Sequence, residues 1–360
     1  MRKQDAVRAH IRQLSCLGVT AESAMPTLLR SIRELVPCDS AGFFWVDAKG
    51  DMTHLFAERM LAPDAMNLYF ERHYDGPEYP FRKGFLKRAK ASDIVTSGPP
   101  DAKLLNSSYY DEILRTLDAY HVLHAVIRDQ GDALGLLSLY RDKASKAFEE
   151  HERQDIGQIS KYVAHAVRRP VAIDDAHRED GVEGLVVVSA SAEIRSGSNS
   201  SMLLLSKATH GLPGPNSLPL VAGSSAPAPI PHLITMLQEA MLGGDCPPPR
   251  IQQRNVAGTF ELSAYALTEL RGRATEIAIH IRPRESQLLR FADAMLTVDM
   301  PLQQREVALA IVQGKSNVEI AEALNISRNT ASYHVKQLFA RLDAHDRASV
   351  MARILAGSGK

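Results

Sequence analysis

Residues 300–355 constrain the fold most, because helix start and stop signals follow one another closely within them. Apolar residues at spacings of three and four predict a helix over about residues 303–313, and Gly314 then supplies the left-handed conformation that ends a helix. Ser316 and Glu319 have the S-x-x-E spacing of a capping box, which satisfies orphan amides at a helix start. The pattern therefore predicts two short helices that are joined by a tight turn.

A third helix is predicted over about residues 328–342. Asn325 tolerates left-handed geometry in the connection before it, and Ser327 can cap its first turn. One stripe of this helix is apolar and should pack inward: Ala331, Val335, Leu338 and Leu342. Another face is polar and holds Arg328, Asn329, Ser332, Tyr333 and Lys336. A fourth helix over about residues 347–355 can cover the bundle or pair with a second copy.

The polar face of the third helix suits phosphates and base edges in a DNA major groove. The alternative is a small helical bundle whose charges are merely solvated. The order of helix, glycine, capped helix, short turn and capped helix is much more specific than that alternative requires. We therefore predict that this segment binds double-stranded DNA.

The same segment resembles the LuxR-type (GerE-like) helix-turn-helix of bacterial transcription regulators. The matching stretches are REV, QGKSNVEIAEAL and NISRNTASYHVKQLFARL, at residues 305–307, 313–324 and 325–342. The resemblance implies that the third helix enters the major groove and that Ser332, Tyr333 and Lys336 face bases. It also implies that Asn317, Arg328 and Thr330 anchor phosphates. Lys or Arg is usual at the position of Ser332, so the preferred operator stays open.

The DNA-binding residues predicted on these two grounds are Asn317, Arg328, Asn329, Thr330, Ser332, Tyr333 and Lys336.

An α/β sensor plan is predicted for residues 1–170. Its elements, in order, are helices over about 4–17 and 21–36, a strand over 40–46, a short extended piece over 52–57, a hairpin of 121–128 and 133–140, and a closing helix over 149–169. The region resembles a GAF domain, whose ending G-x-L-x-L-x-R … F-x-x-x-E stands here at Gly135–Arg141 and Phe148–Glu152.

In GAF folds the ligand lies over the sheet, beneath the central helices and loops. The resemblance therefore places a small-molecule site near Trp45, Tyr69, Tyr74 and Tyr120, with Tyr79 and Phe81 close by. The alternative is that these side chains are ordinary core and surface aromatics. The Trp-Tyr-Asp-Pro pattern of acyl-homoserine-lactone receptors is not cleanly present, because Gly76 separates Asp75 from Pro77 and Trp45 comes too early.

Residues 178–283 resemble a PAS domain in the order of their elements. A strand over 184–189 leads to a second short strand over 192–195 and a short helix over 199–206. The proline-rich run over 212–231 can be neither regular helix nor central strand. The alternative to a ligand-binding PAS domain is a degenerate module that packs and dimerises. A further helix is predicted over residues 283–297, so that residues 284–299 form a helical linker before the DNA-binding domain of residues 300–360.

Composition narrows the classes of function. The 42 basic and 42 acidic side chains balance, which argues against coating of nucleic acid by the whole chain. The three cysteines, Cys16, Cys38 and Cys246, are far apart, so neither a disulfide framework nor a zinc site is expected. His121 and His124 should face opposite sides of their strand, and no metal is expected there. No apolar run approaches the ~20 residues that span a bilayer.

The phosphate-binding motif G-x-x-x-x-G-K-[ST] and the catalytic motifs G-x-S-x-G and H-E-x-x-H are missing from the sequence. We therefore expect an α+β multidomain protein that is not an enzyme and carries no cofactor or metal: a cytoplasmic, homodimeric transcription regulator. Its N-terminal part would be a GAF-like sensor, its middle part PAS-like and its C-terminal part an all-α four-helix bundle. Two alternatives remain open, an enzyme or signalling module with a GAF-type site, and a ligand- or protein-binding scaffold without its own DNA target.

Overall fold

The computed structural model describes residues 3–78, 80–90, 95–168, 177–179, 182–243, 247–270 and 273–357. Two antiparallel sheets come first along the chain, and a group of helices follows them. The α+β multidomain fold expected from the sequence is therefore confirmed. Tyr79 and Cys246, which the sequence analysis singled out, lie outside the described residues.

The N-terminal part begins with α1 (Lys3–Ser15), α2 (Ala21–Leu35), β1 (Ser40–Val46) and β2 (Met52–Ala57). It continues through α3 (Pro63–Leu68), a π-helical turn at Tyr69–His73, α4 (Phe81–Lys90), β3 (Val95–Gly98), α5 (Ala102–Leu105) and a second π-helical turn at Tyr110–Leu114. A 3-10 turn at Arg115–Leu117, the hairpin of β4 (His121–Asp129) and β5 (Asp132–Arg141), and α6 (Glu150–Arg168) complete it.

The first sheet has the strand order β2-β1-β5-β4-β3. Because strand residues alternate between faces, Phe43, Leu123 and Leu137 point to one side, where they pack against α1, α2 and α6. All three side chains are fully buried, and each burial stabilises the fold by about 1.5–3 kcal/mol. The other side lies under the connection from β2 to β3, which contributes α3, α4 and the first π-helical turn.

The GAF-like ending has a physical role in this fold. Arg141, at the end of β5, forms a bidentate ion pair with Glu152 on α6, at 2.6 and 3.2 Å. The Arg141 guanidinium also lies 4.1 Å from the ring centroid of Phe148. The three residues thereby fasten the last strand to the closing helix.

The middle part contains β6 (His177–Glu179), β7 (Gly184–Ser189), β8 (Ile194–Gly197), α7 (Asn199–His210), α8 (Ile230–Met241), β9 (Arg250–Asn255), β10 (Gly258–Leu270) and β11 (Arg273–Ser286). Its sheet has the order β8-β7-β11-β10-β9, with β6 paired to the end of β11. Counted from the first strand of each main path, both sheets follow the same order, 2-1-5-4-3. Whether the second sheet is a PAS domain stays a prediction.

Two elements of the middle part differ from the sequence-based prediction. Helix α8 begins within the proline-rich run, at Ile230, because Pro231 occupies its first turn, where no intrahelical amide bond is lost. The helix predicted over residues 283–297 begins only at Gln287. Residues 283–286 instead continue β11, since Arg284 reaches Glu261 at 2.6 Å and Ser286 caps the helix by accepting from the Leu289 amide.

The C-terminal part consists of α9 (Gln287–Thr297), α10 (Leu302–Val312), α11 (Asn317–Leu324), α12 (Arg328–Leu342) and α13 (Arg347–Gly357). The four helices that the sequence predicts after residue 300 are therefore confirmed. Their buried side chains include Val307, Ile311, Ile320, Leu338, Val350 and Ile354. Helix α13 also packs against α9, so the bundle is joined to the helix that precedes it.

The N-terminal helices contact the C-terminal part through ion pairs and a hydrogen bond. Arg12 on α1 forms an ion pair with Glu306 on α10. The Gln313 side chain donates to the Cys16 carbonyl at 3.3 Å, and Arg30 on α2 pairs with Asp293 on α9 at 3.1 Å. The described helices include none that is long and apolar enough to cross a membrane.

Candidate functional site

The two turns that precede α12, one on each side of α11, are built from local contacts. The Ser316 hydroxyl accepts from the Glu319 amide at 3.3 Å, and the Glu319 carboxylate accepts from the Ser316 amide at 2.7 Å, which completes the predicted capping box. Gly314 and Asn325 both adopt positive φ, at 81° and 52°, so each ends a helix in the left-handed conformation. The Gly314 turn and the capping box fix how α11 follows α10, and Asn325 fixes where α11 ends before α12.

Helix α12 has one buried and one exposed face. Ser327 caps the helix by accepting from the Thr330 amide at 3.1 Å, and the two hydroxyls lie 2.8 Å apart. Ala331, Val335 and Leu338 are buried, as predicted. The exposed side carries Arg328, Asn329, Tyr333 and Lys336, and the Tyr333 side chain is 58% exposed. An exposed tyrosine on a helix that begins with arginine can contact both phosphates and base edges.

Two predicted DNA-binding residues, Asn317 and Ser332, form hydrogen bonds within the protein. Asn317 donates to the Ser332 hydroxyl at 3.3 Å and accepts from Arg347, whose guanidinium also donates to the Lys315 carbonyl at 2.6 Å. Asn317, Ser332 and Arg347 therefore link α11, α12 and α13 beside the exposed face. Sequence reasoning missed Arg347, although a basic residue in the first turn of a helix, which the helix dipole disfavours, was a signal.

The aromatic residues predicted to surround a ligand do not form one group. Trp45 points to the side of the first sheet that α1, α2 and α6 cover, and it stacks on the His54 ring at 4.5 Å. Tyr69 and Tyr74 are buried on the opposite side, with ring centroids 6.4 Å apart. Tyr120 lies before β4 and packs edge-on against His121 at 5.0 Å. Trp45 thus shares no pocket with the tyrosines, and placing it in their group was wrong, because strand alternation turns it away.

Phe81, by contrast, lies with the tyrosines. Its ring stacks on that of Tyr74 at 5.9 Å. We call the helices and turns that connect β2 to β3 and β3 to β4 the lid. The Tyr74 hydroxyl accepts from the Met52 amide at 2.8 Å, which ties the lid to β2.

A polar group on the same side of the sheet was not predicted. His124 Nδ1 and the Ser138 hydroxyl are 2.8 Å apart across the β4–β5 register, and Tyr140 lies two residues beyond Ser138. Burial, together with the nearby Arg88 charge, lowers the pKa of His124 to about 3, so its imidazole is neutral. Burial also raises the pKa of the Tyr140 and Tyr109 hydroxyls. A histidine within the apolar strand sequence HVLHAVIR was the available signal.

Comparisons with known proteins bear on the C-terminal part most directly. Residues 302–354 match the family model described as bacterial regulatory proteins, luxR family. Over 50 residues the chain is 40% identical to the probable transcriptional regulatory protein SgaR of Hyphomicrobium methylovorum. That match covers 14% of this chain and 24% of SgaR, so it spans about a quarter of the curated relative.

Two solved structures match at low identity. A GAF domain/HD domain protein from Geobacter sulfurreducens matches at 15% identity and a TM-score of 0.33, covering 44% of this chain and 98% of that one. Escherichia coli SdiA matches at 12% identity and a TM-score of 0.29, covering 94% of this chain and 91% of that one. The family match and the geometry of α10–α13 agree, and the C-terminal domain of this chain is a LuxR-family helix-turn-helix.

Proposed function

We propose that this chain is a DNA-binding transcriptional regulator that works as a homodimer. Two copies would place α12 in successive major grooves of double-stranded DNA, while the N-terminal domain binds a small molecule that controls them. The observation that carries the proposal is the exposed polar face of α12, on a helix whose start is fixed by Ser327 and by the capped turn before it. The proposal assigns no enzymatic step to the chain and keeps it in the cytoplasm with the DNA.

The charge of the C-terminal domain supports the proposed dimer. Residues 300–360 hold eight Lys and Arg against five Asp and Glu, so a single copy neutralises few phosphates. A single recognition helix also reads few base pairs. Two copies double both contributions, which is why we expect paired half-sites.

Selection of genomic DNA fragments by the full chain tests this proposal. The selected fragments should share a sequence with two half-sites about one helical turn, ~10 base pairs, apart, as a symmetric pair of recognition helices requires. Enrichment of a single half-site would contradict the dimer. If no sequence is enriched over the input library, the chain is instead a signalling scaffold without its own DNA target.

A further inference from the structure

Arg88 occupies a defined place above the first sheet. Phe81, Phe85 and Arg88 follow one another at i, i+4 and i+7 on α4, so they share the face that looks onto the sheet. Phe85 is buried against Val126 and Leu136, which pair across β4 and β5. Arg88, one turn further along α4, therefore lies over the next pair on that face.

That next pair is His124 and Ser138, the two residues whose side chains share a hydrogen bond. Arg88 is close enough to His124, Tyr109 and Tyr140 for its charge to act on all three. The aromatic ring of Tyr69 lies beside that of Tyr109, with the two ring centroids 6.3 Å apart. Residues from the lid and from strands β4 and β5 therefore lie near the Arg88 guanidinium.

Among the described residues, no carboxylate contributes a compensating negative charge to Arg88. The groups that face it are the neutral imidazole of His124 and the hydroxyls of Tyr109 and Tyr140. In the part of the chain that the structure describes, no carboxylate lies within ion-pair distance of Arg88. Arg88 is half-buried, and burial lowers the pKa of its guanidinium, which nevertheless remains charged. A guanidinium in such a place is costly unless an anion joins it.

The same residues are not sealed from solvent. His124, Tyr109, Tyr140 and Arg88 are each surrounded by protein, yet each keeps solvent-accessible surface. On the same side of the sheet Ser138 is fully buried. Solvent therefore reaches part of this group of polar residues.

We propose that the region bounded by Arg88, Tyr109, His124 and Tyr140, which we call the Arg88 pocket, binds a small aromatic anion whose carboxylate or phosphate pairs with the Arg88 guanidinium. The planar fork of arginine matches either oxyanion with two parallel hydrogen bonds. Tyr109 and Tyr140 add hydroxyl donors, and the rings of Tyr69 and Tyr109 cover the apolar part of the ligand. This inference rests on the proposed function, because it gives the chemical class of the molecule that the N-terminal domain would sense.

Calorimetric titration of the full chain with benzoate, phenyl phosphate and benzamide tests the pocket. The two anions separate a carboxylate ligand from a phosphate ligand, and benzamide is the neutral counterpart. Arg88→Gln removes the charge that faces the pocket. Lys87→Gln is the matched control, because Lys87 is exposed on the outer side of the same helix.

At least one anion should bind the natural chain and Lys87→Gln equally, and benzamide should bind about tenfold more weakly or worse. Arg88→Gln should weaken binding of the anion at least about tenfold and leave benzamide unchanged. The pocket assignment is overturned if neither anion binds the natural chain. It is also overturned if benzamide binds as tightly as benzoate and phenyl phosphate, or if Arg88→Gln retains full affinity for them.

Thermal unfolding without ligand excludes a purely structural role for Arg88. Because its guanidinium lacks a carboxylate partner among the described residues, Arg88→Gln should unfold at the same temperature as the natural chain or higher. A clear loss of stability, or failure to fold, would mean that Arg88 supports the fold, and the proposal would be wrong. Arg88→Lys, which keeps the charge without the fork, should bind the anion with intermediate affinity.

The DNA selection keeps this inference separate from the proposed function. Anion binding that depends on Arg88, in a chain that enriches no DNA sequence, would sustain the pocket and refute the regulator. Enrichment of paired half-sites by a chain that binds none of the probe anions would do the opposite.

Discussion

The two sheets share one strand order but differ in the polarity of the side chains on the face that the crossing connection covers. In each, the connection between the second and third strands crosses over the sheet. Beneath it, the second sheet presents only apolar residues at the centre of its strands, among them Val186, Leu262, Ile277 and Ile279, all fully buried. The first sheet presents His124, Ser138 and Tyr140 at the corresponding place, with Arg88 above them.

This difference favours the first sheet over the second as the place for a polar ligand. A face packed with isoleucine, leucine and valine leaves no polar group to orient a ligand, and such cores are close to the density of organic crystals. A face with hydroxyls, an imidazole and a guanidinium can orient one. The shared topology therefore does not decide function, which depends on a few side chains placed on it.

The largest change in the free energy of unfolding should come from a substitution on the apolar, fully buried face of the second sheet. Ile279 is fully buried at the centre of β11, between Val186 and Ala264 in the register. Ile279→Ala should reduce the free energy of unfolding by about 2–5 kcal/mol, because it leaves a cavity in a tightly packed core. Urea unfolding followed by circular dichroism measures the change.

The matched control for this cavity is Thr275→Ala, at an exposed position of the same strand, which should change the free energy by ~0.5 kcal/mol or less. If Ile279→Ala lowers the free energy of unfolding no more than this control does, the face of the second sheet is not tightly packed. The proposed difference between the two sheets would then be wrong.

A smaller, pH-dependent contribution to stability should come from His124, on the polar face of the first sheet. The pKa of His124 is about 3 in the folded chain against 6.5 for an unperturbed imidazole, because burial and then Arg88 disfavour its protonation. Between these values the unfolded chain binds the extra proton, so stability is full above pH 6.5 and falls as the pH decreases. The contribution is as much as about 1.4 kcal/mol per pH unit.

Unfolding free energies measured between pH 6.5 and 5 test this contribution in the natural chain and in His124→Asn, which keeps a polar group near Ser138. The variant should lose stability less steeply on acidification. Parallel curves for the two proteins would show that His124 is not held neutral by its surroundings.

Local sequence signals predicted the C-terminal domain almost residue by residue. The Ser316–Glu319 capping box, the left-handed Gly314 and Asn325, and the Ser327 cap each depend on neighbours within a few residues. Contacts of that range are encoded in short patterns. The β4–β5 hairpin was predicted for the same reason.

The proposed Arg88 pocket could not be predicted because its parts are distant in sequence. Arg88 meets His124 and Ser138 only through the packing of α4 on the sheet, and helix α4 itself was not predicted. Trp45 was grouped with Tyr69 because the sequence shows that both are aromatic but not which face of the sheet each occupies. The edge strand β9 was missed because its sequence, RIQQRN, is largely polar.

The most direct test of the regulator account is the affinity of Lys336→Ala for a DNA fragment that the natural chain selects. Fluorescence anisotropy at matched salt should show a loss of about 1–3 kcal/mol, because Lys336 lies on the exposed face of α12. Arg341→Ala removes the same charge from the same helix, where the guanidinium instead donates to the Asp299 carbonyl at 2.8 Å, and should cost less. Equal affinity of Lys336→Ala and the natural chain would contradict the assignment of this face of α12 to DNA.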